Sequence, residues 1–177
     1  MIHKRLIPFY AIVIVVFLLL KHIYTLIDTE QVKFLLFPVN QFLQILTGVS
    51  SMNLTNEGYY FEKISIVLNK SCCGFNLLLI CFLMLSFLFL KYSKMVKQQI
   101  LVIPASLIIA YLLTIVINTC RIYVSIILQQ PFSSALDIHS NMIHEVIGII
   151  NNVFFLTLTY YMTEKLLQKK FNHAELT

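Results

Sequence analysis

Ser71-Cys72-Cys73-Gly74-Phe75-Asn76 stands at the mouth of an apolar run that continues to Leu90, and the reading of that run decides the fold. From Cys72 to Lys91 is 19 residues, roughly 28 Å of helix at ~1.5 Å per residue, close to the ~30 Å of a bilayer's hydrocarbon core. The run is therefore a membrane span that begins beside a thiol. A thiol at the water end of such a helix, with a glycine two residues later, sits where a nucleophile can be activated and reached.

The rest of the chain has the same character. Of 177 residues, 59% are hydrophobic, with only four glycines and four prolines. That is too apolar for a soluble domain of this size and too poor in turn residues for a β-rich one. The expected fold class is all-α: a polytopic membrane helical bundle with about four transmembrane helices plus one interfacial or re-entrant helix, in a single domain over 1–177. The net charge of +5 falls in short clusters between apolar runs rather than along one polar face, so it reads as a topology signal. Membrane lipids are the expected surroundings and nucleic acid is not an expected partner.

Lys4 and Arg5 precede the run Leu6 to Ile27, which lacks the short core and small-residue cleavage site of a signal peptide and is expected to be retained as a span. Lys21 and His22, near its outer end, are expected to snorkel toward headgroups. Phe34 to Gly48 is apolar but interrupted by Pro38, Asn40, Gln41 and Gln44 and is short for a span, so it reads as interfacial or re-entrant. Ser51 to Lys70 reads as a polar external loop, with Ile64, Ile66 and Leu68 alternating as a short extended segment that feeds the cysteines.

Gly74 to Leu90 is the second expected span, Lys91 to Gln99 a basic internal loop, and Ile100 to Leu128 the third span, with Pro104 in its first turns. Gln129 to Asn141 reads as an external loop and Met142 to Met162 as the fourth span. Lys4, Arg5, Lys91, Lys94, Lys97, Lys165, Lys169 and Lys170 then fall on one side of the membrane, and only Lys33, Lys63 and Lys70 lie in loops on the other. The positive-inside rule makes the first side cytoplasmic and puts both termini there.

The inner lysines also serve as a ruler. Gln99 to Arg121 is 22 residues and His144 to Lys165 is 21, roughly 33 Å and 31 Å of helix. Three helices thus deliver a thiol, a guanidinium and an imidazole to about the same outer depth. At a helix N-terminus, Cys72 gains from the dipole, which favours its thiolate. Gly74 lets a neighbour approach the sulfur. Arg121, inside an apolar helix, costs about 2.5–3.5 kcal/mol to insert and so normally faces a polar cavity with a task. Asn118, one turn earlier on the same face, is placed to orient it or to cap a polar path. Gly148, four residues after His144, allows close helix packing beneath the imidazole.

Each signal has a plainer reading. Cys72 and Cys73 can be small interface residues, Arg121 a snorkelling anchor, and His144 an amphipathic interfacial side chain. Cys81 and Cys120 read as buried small hydrophobes, and His22 and His139 open no helix beside a glycine at helical spacing. Joint placement at one depth is what favours function. No CxxC pair and no Cys/His zinc spacing is present, so neither a metal nor a cofactor is expected.

In order and spacing these residues match three motifs. Cys72-Cys73-Gly74, Asn118-Thr119-Cys120-Arg121 and His144-Glu145-Val146-Ile147-Gly148 correspond to a Cys-x-Gly at the start of a span, an Asn-x-x-Arg near the end of a later one, and a His followed by Gly four residues on. By these motifs the chain resembles the exosortase/archaeosortase family of membrane cysteine transpeptidases, as a short bacterial form of the exosortase K type. The resemblance implies catalytic roles for Cys72 as nucleophile, Arg121 as oxyanion or substrate-positioning group and His144 as general acid/base, with Gly74, Asn118 and Gly148 in support. It implies as partners exported proteins bearing a C-terminal sorting signal, made of a short motif, a transmembrane helix and a basic tail. The expected location is a bacterial cytoplasmic membrane, with the active site facing the periplasm or exterior. Two departures stand out: Cys73 occupies a position where the family commonly has serine, and the chain is shorter than typical bacterial members.

Two readings from other classes compete. A membrane thiol oxidoreductase would use Cys72 and Cys73 as a pair, and a non-catalytic assembly subunit would use the polar groups only to tie helices together. A metal-dependent intramembrane protease is disfavoured because Gly148 stands where HExxH would place its second histidine.

Overall fold

The computed structural model describes residues 2–93, 95–136 and 140–175, with side chains described over 6–93, 95–128 and 145–170. Its elements in chain order are α1 (Ile2–Leu26), α2 (Lys33–Thr47), β1 (Met52–Leu54), β2 (Gly58–Phe61), β3 (Ile66–Leu68), α3 (Phe75–Tyr92), α4 (Val96–Leu136) and α5 (Ser140–Glu175). Among the described residues, four helical segments are long and apolar enough to cross a membrane: Leu6–Leu26, Lys70–Tyr92, Val96–Leu128 and Glu145–Lys170. The protein is a largely helical chain of membrane-spanning character.

Two compact units share the chain. One comprises Met1–Leu26, Asn76–Leu113 and Leu156–Thr177, the other Ile27–Phe75 and Thr114–Phe155. In the first unit α1 and α3 run antiparallel. Lys21 Nζ donates to Asn76 Oδ1 at 2.7 Å near one end of the pair, and Tyr10 meets Phe87 edge-on at 5.2 Å toward the other. Lys21 therefore has a specific partner instead of only snorkelling. At the far end of α3, Lys91 Nζ pairs with Glu164 Oε1 of α5 at 2.9 Å, and the Tyr92 hydroxyl donates to the same carboxylate at 3.4 Å.

In the second unit α2 packs against β2. Leu35, Leu36, Val39 and Leu43 on α2, with Phe61 and Leu68 on the strands, are all buried to 1% exposure or less. Burying each such side chain stabilises by about 1.5–3 kcal/mol relative to leaving it in water. Phe34, Phe37, Phe42 and Ile45 of α2 remain exposed, so this helix is apolar on both its inner and outer faces. At 15 residues it spans about 22 Å, too short to cross. Gly48, in the left-handed region at φ 67°, ends it by donating its N–H to Gln44 O at 2.9 Å.

Three expectations from the sequence are corrected. The segment Ser51 to Lys70 is not a loop with one extended stretch but a three-stranded antiparallel sheet in the order β1-β2-β3, so the fold is not purely α. Tyr60 pairs with Met52 on one side and with Val67 on the other. Asn56 at φ 64° and Gly58 at φ 104° make the first reversal, and a Cβ on Gly58 would run into the Leu68 carbonyl. The strands are too short for period-two alternation to register in the sequence.

Second, the basic loop expected over Lys91 to Gln99 is much shorter, because α3 runs to Tyr92 and α4 begins at Val96. The Gln98 side chain accepts from the Met95 N–H at 3.4 Å, and Gln99 Nε2 donates to Ser93 O at 3.2 Å. Side-chain amides thereby satisfy backbone groups at the helix start, the second half of a capping box. Pro104 consequently sits well inside α4 rather than in its first turns. Third, α4 runs on to Leu136, and α5 extends from Ser140 to Glu175, past the expected end at Met162. One proline removes a single helical hydrogen bond without reversing the chain. His139, Lys94 and the side chains of Lys4 and Arg5 lie outside the described residues.

Candidate active site

Leu68 ends β3, and the chain then turns sharply. Asn69 Oδ1 accepts from the Ser71 N–H at 3.0 Å and the Ser71 hydroxyl at 2.6 Å, capping a 3₁₀ turn over Lys70–Cys72. The Cys72 N–H donates to Asn69 O at 3.0 Å and the Cys73 N–H to Lys70 O at 3.4 Å. The Ser71 hydroxyl lies 3.6 Å from Cys72 Sγ. Two adjacent thiols emerge in opposite environments: Cys72 is half-buried, whereas Cys73 is 0% exposed. None of the four cysteines is in a disulfide.

Gly74 links this turn to α3 at φ +76°, a conformation that favours glycine. A Cβ there would lie 3.0 Å from Asn118 Cγ and 3.2 Å from Thr114 Cγ2. The glycine therefore serves both the bend and the close approach of α4. Through that gap Asn118 Nδ2 donates to the carbonyl oxygen of Cys72 at 2.7 Å. Because the partner is a carbonyl, the bond also fixes which end of the Asn118 amide faces it. Asn118 is 0% exposed and its Oδ1 has no partner among the described residues. The sequence placed Asn118 to orient Arg121 or to cap a polar path; its described bond is to the backbone of Cys72.

Arg121 stands one turn further along α4. Its stem crosses Gly148 of α5, where a Cβ would sit 3.5 Å from Arg121 Cδ and 4.0 Å from Nε. Nε is buried and unpartnered among the described residues. Asn151 Nδ2 donates to Ile117 O at 3.3 Å and fixes the antiparallel register of α4 against α5. His144 lies in the opening turns of α5, one turn before Gly148 on the same face by helical spacing, and its side chain lies outside the described residues.

The structure thus brings Cys72, Gly74, Asn118, Arg121 and Gly148 together within one compact unit, and it places the backbone of His144 a turn from Gly148 in that unit. Thr114, 0% exposed, and Asn152 are additional polar groups in this unit, and Thr114 Oγ1 and Asn152 Oδ1 are buried with no partner among the described residues. The spacing of Thr114, Asn118, Arg121 and Ser125 along α4 marks one helical stripe, and that signal would have found Thr114. Among the described residues, no group of three or more His, Cys, Asp or Glu is placed to hold a metal ion. A cavity of about 650 Å³ lined by Tyr10, Met84, Phe87, Leu88, Lys91 and Tyr160 belongs to the other unit and contains none of the candidate site residues.

The chain matches no known protein family, no characterised protein and no solved structure.

Proposed function

We propose that this protein is a membrane cysteine peptidase or transpeptidase of the exosortase/archaeosortase kind, cleaving C-terminal sorting signals of exported proteins at the outer face of a bacterial cytoplasmic membrane. One observation carries the reading: Cys72 is half-buried on the turn before α3, with its carbonyl held by Asn118 one turn before Arg121 on α4, while Cys73 beside it is sealed from solvent. The thiolate is the form of a cysteine that attacks. The complete burial of Cys73 speaks against a redox pair with Cys72. Orientation follows from the basic residues, which cluster at the ends of the spans opposite Cys72.

In the proposed reaction the Cys72 thiolate attacks the carbonyl carbon of the scissile peptide. The carbonyl oxygen becomes an oxyanion, and Arg121 stabilises it. His144 donates a proton to the leaving nitrogen as the C–N bond breaks, which leaves a thioester on Cys72 and releases the membrane-anchored tail as an amine. An incoming amine or water attacks the thioester carbonyl and gives its proton to His144. The C–S bond then breaks and the thiolate returns.

The test is capture of that thioester. Membranes containing the protein are mixed with an exported protein of the same genome that ends in a motif, a helix and a basic tail, then quenched in acid and digested. The expected product is a client fragment on the peptide containing Cys72, removable by hydroxylamine and missing in Cys72→Ala. Cleavage that continues undiminished in Cys72→Ala, with no such adduct, would end the reading.

A further inference from the structure

The cavity of about 650 Å³ in the first unit has walls from three of the four segments long enough to cross a membrane: Tyr10 from α1, Met84, Phe87, Leu88 and Lys91 from α3, and Tyr160 from α5. It is open-sided and largely apolar, so at membrane depth lipid reaches it, and water is not held by such walls. From Met84 to Lys91 is seven residues, roughly 10 Å of helix, which fits within one leaflet's half of a ~30 Å hydrocarbon core. A client's spanning helix would need a seam across the whole core, whereas an acyl chain needs one leaflet. Lys91, next to last in α3, marks the water end of the cavity. Its side chain is 56% exposed and its Nζ donates to Glu164 Oε1 at 2.9 Å, and an ammonium has two further donors. The Tyr92 hydroxyl at 3.4 Å and the Tyr160 hydroxyl also bond the Glu164 carboxylate, so three of its roughly four lone-pair sites are used.

We propose that this cavity binds one phospholipid whose headgroup carries both a phosphate and a primary ammonium, a phosphatidylethanolamine. An acyl chain fills the cavity, the phosphate accepts from Lys91, and the ammonium donates to the remaining site on Glu164. A fixed lysine and glutamate side by side are the complement of a headgroup that holds one charge of each sign. A purely anionic headgroup gains Lys91 but is repelled by Glu164, and a quaternary ammonium has no N–H to donate. The lipid thereby completes the packing of α1, α3 and α5 within this unit. The site needs only the membrane-spanning character of the chain and stands apart from the peptidase reading.

In the test, the full chain is purified in detergent, stripped of lipid and given an equimolar mixture of phosphatidylethanolamine, phosphatidylcholine and phosphatidylglycerol with identical acyl chains. Retained lipid is counted by native mass spectrometry. The expected result is one phosphatidylethanolamine per chain, held about tenfold more tightly than either competitor, the discrimination that one charge-assisted hydrogen bond gives. In Glu164→Gln, which no longer repels an anion, the preference over phosphatidylglycerol is expected to fall to within about twofold. Met84→Trp fills the cavity and leaves Lys91 and Glu164 in place, and it is expected to weaken phosphatidylethanolamine retention by about tenfold or more. This second variant keeps the test decisive if Glu164→Gln does not accumulate. Equal retention of the three lipids would mean that chains alone are bound, and a preference for phosphatidylglycerol would mean a merely basic surface. Displacement of the lipid by an equal concentration of phosphoethanolamine, or unchanged retention in Met84→Trp, would mean that the cavity takes no part. Any one of these results overturns the site.

Discussion

Asn118 Nδ2 donates to the carbonyl oxygen of Cys72 at 2.7 Å, so the backbone of Cys72 is held by a side chain from another element, 46 positions away in sequence. Removing that donor leaves a part-buried carbonyl without its partner, at a cost of about 1–3 kcal/mol. Asn118→Ala is accordingly expected to lower the unfolding temperature of the purified protein in detergent. An unchanged transition would mean that the bond contributes nothing in solution.

The two glycines of the site are expected to respond in opposite ways. Gly74 combines φ +76° with a neighbour 3.0 Å from where a Cβ would be, so Gly74→Ala must shift Asn118 as well as strain the backbone, costing about 1–3 kcal/mol for the strain alone. At Gly148 the nearest atom to a new Cβ is Arg121 Cδ at 3.5 Å, an ordinary contact. Gly148→Ala should therefore retain both fold and activity, whereas Gly148→Leu should displace Arg121 and abolish processing without unfolding the chain. Measured unfolding temperatures and client processing for the three variants check this, and equal loss in both alanine variants would contradict it.

Thiol accessibility separates the adjacent cysteines and reports orientation together. In single-cysteine variants on intact cells, a membrane-impermeant maleimide is expected to label Cys72 and to spare Cys73, which is 0% exposed. Labelling of Cys72 only after permeabilisation would reverse the proposed orientation. Equal labelling of Cys73 would remove the distinction on which the choice of nucleophile rests.

Glu30 supplies a pH-dependent tie between the start of α2 and the hairpin. Lys33 Nζ, 2.7 Å away, and the Asn56 N–H at 3.2 Å hold its carboxyl below the ordinary carboxylate range. A carboxyl with a lowered folded-state pKa contributes stability above its unfolded pKa and loses it as pH falls through the folded value. Protease protection of the segment 52–68 should thus be constant from neutral pH down to the ordinary carboxylate range and decline below it. Glu30→Gln should flatten that decline, and an unaltered acid profile in this variant would remove Glu30 as its cause.

Much of the architecture can be read from hydropathy alone. The segments Leu6–Leu26 and Lys70–Tyr92 are long and apolar enough to cross a membrane. Boundaries were less legible because small groups set them. Gln98 starts α4 earlier than the charge pattern of Lys91 to Gln99 suggests, and Pro131 looks like a loop signal although the helix continues through it to Leu136. The sheet escaped because strands of three and four residues carry almost no periodicity. At the site, helical spacing was enough to group Asn118 with Arg121, but the partner of Asn118 is a backbone carbonyl on a distant turn, which no spacing rule encodes.

The central claim is that Cys72, Arg121 and His144 act as one catalytic unit on a sorting-signal client. The most direct measurement is processing of such a client in cells expressing Cys72→Ala, Arg121→Ala or His144→Ala, each at wild-type abundance. The account predicts that every one of the three lowers processing by about a hundredfold or more, as expected for loss of a nucleophile, an oxyanion donor or a general acid. Wild-type processing by any of them, His144→Ala above all, would contradict it.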